Sequence, residues 1–120
     1  MIGECMKGYL TVICINDNLN QIIEKIIKFF TAINPIYKGT PSVKPYWKDN
    51  GYSVVETQFV LESMEKDYLL KNMQLFTGKK VLDNIINFDN TLMVENYMSF
   101  EEMETDHSKF FCTLYVNKDI

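Results

Sequence analysis

"KGYLTVICINDNLNQIIEKIIKFF" occupies residues 7–30, and its two halves obey different periods. Lys7 to Ile15 is nearly unbroken apolar sequence with β-branched residues, the composition of a central strand covered on both faces. The polar run Asn16-Asp17-Asn18 ends it. From there Leu19, Ile22, Ile23, Ile26, Ile27 and Phe30 recur at helical spacing and predict one apolar stripe, with Asn18 as the cap and Gln21 reaching back to it. Asn34 followed by Pro35 stops the helix, because proline disfavours helical geometry in the residue ahead of it.

Working outward, residues 35–47 ("PIYKGTPSVKPYW") form a proline-punctuated connection with a short edge strand near Val43 to Trp47. Lys48-Asp49-Asn50-Gly51 supplies a turn in which Asn50 and Gly51 suit positive φ. Residues 52–62 then alternate, with Val55, Phe59 and Leu61 on one face, so a hairpin is expected. From Ser63 the pattern is helical, with Leu69, Met73 and Phe76 on a common side and Gly78 as the stop. Residues 79–88 read as a further turn or two of helix. "TLMVENYMSFEEM" (residues 91–103) reads as a strand with Leu92, Val94, Met98 and Phe100 inward, and Glu95, Ser99 and Glu101 outward beside Tyr97. Residues 104–108 are a loop. Lys109 to Val116 is a last strand, apolar enough to lie within the sheet rather than at its rim.

Helices mixed with antiparallel hairpins in this order predict an α+β two-layer sandwich. Its mainly antiparallel sheet carries two helices, in a ferredoxin-like βαββαβ arrangement plus an extra C-terminal strand. A chain of 120 residues fits one domain, 1–120.

Composition narrows the function. Apolar residues make up 47% and charged residues 23%, as in globular proteins. The longest apolar runs are far short of the ~20 residues needed to cross a bilayer. The N-terminus does not resemble a secretory signal, and Cys5, Cys14 and Cys112 show no CxxC pairing, so a cytoplasmic protein with reduced thiols is expected. Charge is unevenly spread: the net charge of −4 comes from the last 40 residues, which hold eight acids against Lys109 and Lys118. Such a face repels nucleic acid and anionic lipid. The chain has no arginine, and with it no bidentate phosphate fork.

Catalytic chemistry is poorly provided for. His107 is the one histidine, which removes every His-His metal motif. A Cys112–His107 nucleophile pair would set a thiol in an apolar strand beside acids, where its pKa rises rather than falls. Neither GxxxxGK[ST] nor GxGxxG occurs. No cofactor, no metal and no enzymatic activity are expected.

What stands out is "EEMETD", residues 101–106, beside aromatic and methionine residues. Carboxylates steer a basic partner, and aromatic and methionine side chains supply lasting contact area. The expected partner-binding face comprises Glu95, Tyr97, Glu101, Glu102, Glu104 and Asp106. In size, acidity, this cluster and the lack of catalytic motifs, the chain resembles the small cytoplasmic immunity proteins of bacterial polymorphic-toxin and contact-dependent inhibition systems. The resemblance implies a non-catalytic antitoxin that neutralises a cognate toxin domain, expected to be basic and to act on nucleic acid. The alternative is a ferredoxin-like domain that senses a small ligand, for which the polar groups of Asn16 to Asn20 are the one candidate site.

Overall fold

The computed structural model describes residues 5–62, 66–78, 86–88, 91–96 and 98–118. Strand β1 (Met6–Ile15) leads through a 3-10 turn (Asn16–Asn18) into helix α1 (Leu19–Ile33). Then come β2 (Tyr37–Lys38), β3 (Ser42–Pro45), β4 (Tyr52–Leu61), α2 (Lys66–Thr77), β5 (Ile86–Phe88), β6 (Thr91–Glu95), α3 (Phe100–Thr105) and β7 (Phe111–Lys118). The strands form one seven-stranded sheet in the order β2-β4-β1-β7-β6-β5, with β3 beside β2 along the same edge of β4. Every pairing is antiparallel. The α+β class is as expected, and β7 is indeed interior.

The strand order departs from βαββαβ on one side. After α2 the chain lays down β5 at the far edge, returns through β6, and sets β7 in the slot beside β1. Consecutive antiparallel strands pair with their chain neighbours most readily. Among the described residues, the extra strands therefore lie outside the last strand, at the β5–β6 edge, rather than following it.

One core cluster fills the face beneath α1 and α2. Leu10, Val12 and Cys14 of β1, Val55 and Phe59 of β4, and Cys112, Leu114 and Val116 of β7 meet Ile22, Ile26, Phe29 and Phe30 of α1 and Leu69, Met73 and Phe76 of α2. Gly8 pairs with Phe59 in the register, and a Cβ there would come within 2.3 Å of the Phe59 ring. That glycine is needed because an aromatic ring occupies the place of its side chain.

Several local expectations are corrected. The first half of β1 is covered on one face only: Leu10 is 1% exposed while its neighbour Tyr9 is 46% exposed. The helix buries Ile22, Ile26, Phe29, Phe30 and Ile33, whereas Ile27 is 49% exposed. Asn18 makes no side-chain cap bond, because the chain winds into α1 through the 3-10 turn and buries Asn18. Asn34 ends α1 in the left-handed region (φ 49°), its N–H donating to the Phe30 carbonyl. Gly78 ends α2 with φ 70°, as expected. Asn50 and Gly51 do not take positive φ; the turn is closed by Asp49, whose Oδ1 accepts from the Gly51 N–H at 2.8 Å. Residues 86–88 are strand rather than helix, and 79–85 lie outside the described residues.

Candidate functional site

Among the described residues, the opposite face of the sheet is covered by a helix only at one end. There Tyr52, Met98 and Met103 are buried against Ile13, Ile15, Tyr46 and Phe111. These strand residues alternate with those of the main core, so α3, which carries Met103, packs behind the sheet from α1 and α2.

α3 is where the acidic cluster lies, and this overturns the strand expected over 91–103. The strand stops at Glu95. The Ser99 hydroxyl accepts from the Glu102 N–H at 3.1 Å, starting a helix whose first turn carries Glu101 and Glu102. Acidic side chains at a helix N-terminus are favoured by the aligned peptide dipoles. The motif Ser99-Phe100-Glu101-Glu102 is the S-x-x-E capping signature, the sequence signal that identifies this helix. As a result Phe100 is 43% exposed instead of inward. Met98 is buried, in the small cluster rather than the main core.

Asn96 braces the connection. It is 2% exposed; its Nδ2 donates to the Phe110 carbonyl at 2.7 Å and its Oδ1 accepts from the Cys112 N–H at 2.6 Å. The end of β6 is thereby stitched to the start of β7, and the segment bearing α3 is closed at its base.

Facing α3 is the β3–β4 hairpin tip. Asn16 ties this tip to β1: its N–H donates to the Gly51 carbonyl at 3.0 Å and its Nδ2 to the Asn50 carbonyl at 2.9 Å. Its Oδ1 also accepts from the Ser53 hydroxyl. Within the polar run considered for a small ligand, Asn16 is thus engaged in holding the hairpin and Asn18 is buried, while Asp17 and Asn20 are exposed.

Four aromatic rings join hairpin and helix. Tyr46 stacks on Phe100 (centroids 5.9 Å apart, planes at 22°), and Phe100 meets Tyr52 edge-on at 5.1 Å. Tyr46 also meets Trp47 at 6.1 Å. Trp47 is 83% exposed, and the Lys48 ammonium lies 4.9 Å from its ring centre. The Tyr52 hydroxyl donates to Glu104 Oε1 at 3.3 Å. Burial, then the charge of Glu104, its hydrogen bond and the charge of Asp49 push the Tyr52 phenol above its ordinary value. Glu104 thus bonds the buried phenol, Asp49 adds negative charge to its surroundings, and exposed Phe100 and Trp47 lie alongside.

Of the expected residues, Glu101, Glu102 and Glu104 share α3, with Glu101 and Glu104 exposed. Asp106 is occupied by its own turn: its Oδ1 accepts from the Ser108 N–H at 3.0 Å and hydroxyl at 2.6 Å, and these bonds hold its pKa below the ordinary carboxylate value. Glu95 is half-buried at the end of β6, opposite Thr113 on the bare face. Tyr97 lies outside the described residues. Sequence reasoning missed Tyr46, Trp47, Tyr52 and Asp49; the available signal was an adjacent Tyr-Trp pair at a turn, where exposure is the rule.

Elsewhere, Cys112 is fully buried and its thiol is pushed up to about 12, chiefly by burial, with a backbone contact from Asn96 opposing and the charge of Glu95 adding. Cys14, buried on β1, is raised to about 11 by the same cause. Both are held as thiols, which are poor nucleophiles. Among the described residues no three His, Cys, Asp or Glu side chains are placed to hold a metal ion. No helix among them is long and apolar enough to cross a membrane. Comparison with family models, curated proteins and solved structures found no match.

Proposed function

We propose that this chain is a non-catalytic binding protein that takes a basic protein on the end of the sheet formed by α3 and the β3–β4 hairpin. In line with the resemblance described above, its role would be that of a cytoplasmic immunity protein neutralising a cognate toxin domain. The observation that carries the reading is the ring cluster of half-buried Tyr46 with exposed Trp47 and Phe100, beside Glu104, which is hydrogen-bonded to the adjoining Tyr52. Large exposed aromatics contribute most of the binding energy where interfaces have been dissected. Carboxylates on the rim raise the encounter rate with a cationic partner, an effect that salt screens over ~10 Å. Active sites that bind nucleic acid are cationic, so carboxylates can occupy the place of phosphates.

The test is binding kinetics against the product of the adjacent gene. Glu101→Lys, Glu102→Lys and Glu104→Lys together should slow association most at low salt. Trp47→Ala should speed dissociation. Unchanged kinetics in both variants, with melting curves like the parent, would remove the proposal and leave α3 a solvated helix.

A further inference from the structure

The aromatic wall has a chemistry more specific than stickiness. Its rings are ordered: Tyr46 lies nearly parallel to Phe100, while Phe100 and Tyr52 meet edge to face at 87°. The support is rigid, since Tyr52 is 3% exposed and the hairpin tip is tied to Asn16 by three hydrogen bonds. Beside the rings stand Glu104, held by the Tyr52 hydroxyl, and Asp49, held by the Gly51 N–H. A cation is already drawn to this surface, because the Lys48 ammonium sits over the face of Trp47.

We infer that this surface is a receptor for an arginine side chain of the partner, selecting guanidinium over ammonium. The inference rests on the binding reading above. A guanidinium is flat, so it stacks on an aromatic face while its edge N–H groups reach carboxylates in the same plane. An ammonium has no plane and is more strongly hydrated, so it gains from the charge but not from the stack. The chain contains no arginine, so any guanidinium in the site comes from the partner. Lys48 then acts as an internal competitor: it holds one face of Trp47 and must give way to the arginine.

The experiment uses the sole tryptophan, Trp47, as reporter. Capped tetra-arginine and tetra-lysine peptides are titrated into the full chain at low and moderate salt while Trp47 fluorescence is followed. Tetra-arginine should bind at least ~5-fold tighter than tetra-lysine, the ratio a single well-placed cation–π contact confers. Lys48→Gln should tighten tetra-arginine binding by about 2- to 5-fold, because it removes the competing cation. Phe100→Leu, which keeps an apolar side chain, should erase the preference while salt-dependent binding of both peptides persists. Equal, salt-dependent binding of the two peptides would overturn the arginine inference and leave the acidic face as a general site for basic proteins. No binding of either peptide at low salt would overturn both.

Discussion

On the face of the sheet that carries α1 and α2, Val12, Cys14, Val55, Leu114 and Val116 are all at 0% exposure. Three residues before Val12 along β1, Tyr9 is 46% exposed on the other face, where its ring tilts against Tyr115 at 6.2 Å. The same strands thus contribute to two surfaces of different purpose. The covered face follows the hydrophobic effect and holds the domain together. The bare face is covered only where α3 reaches it, and there the molecule leaves aromatic rings at the surface beside carboxylates.

The contrast predicts a graded series of effects. The largest belongs to the covered face: Ile26→Ala should lose roughly 2–5 kcal/mol by urea unfolding, through lost burial and the cavity left behind. Ile27→Ala, on the outer side of the same helix, should change stability by less than ~0.5 kcal/mol. Similar losses at the two positions would mean that the helix is not seated as described.

Next comes the brace between the faces. Asn96→Ala leaves the Phe110 carbonyl and the Cys112 N–H without their partner and should cost about 2–3 kcal/mol, since buried unpaired groups bear the full loss of hydration. Hydrogen exchange should quicken at the start of β7 and around α3 while α1 stays protected. Uniform quickening would show that Asn96 supports the whole fold rather than this end.

A smaller effect is set by pH. The folded Cys112 thiol holds its proton up to about 12, against an ordinary value of 9.0. Between these values the folded chain binds more protons than the unfolded chain, so stability is complete below pH 9 and falls as pH rises. The slope from Cys112 alone is about 1.4 kcal/mol per pH unit. Cys14 acts in the same direction. Urea midpoints at pH 8, 9 and 10 should show the decline, and Cys112→Ala, compared with its own midpoint at pH 8, should flatten it. The smallest effect is at the candidate site itself. Tyr52→Phe removes the hydrogen bond to Glu104 and should cost only ~0.5–1 kcal/mol. Binding of a basic partner should weaken more than stability does, because Glu104 loses the group that orients it.

Much of the fold could be read in one dimension. Helical spacing at Ile22, Ile26 and Phe30, alternation at Val55, Phe59 and Leu61, and the apolar run ending at Val116 are local patterns, and each corresponds to an element that the sheet or its helices retain. α3 was hidden because Leu92 and Val94 set an alternating pattern that Met98 and Phe100 appeared to continue. The Ser99 cap broke it.

The existence of the apolar stripes and the sign of the charge at the acidic end follow from residue order alone, since both depend on which residues are neighbours in the chain. Which face each strand left open, that β7 lies between β1 and β6, and that Tyr46, Trp47 and Tyr52 meet Phe100 and Glu104 were settled only by tertiary structure. The reason is that these groups, spread over residues 46 to 104, share no local period. They come together because the hairpin tip is tied to Asn16 on one side and Asn96 closes the α3 segment on the other.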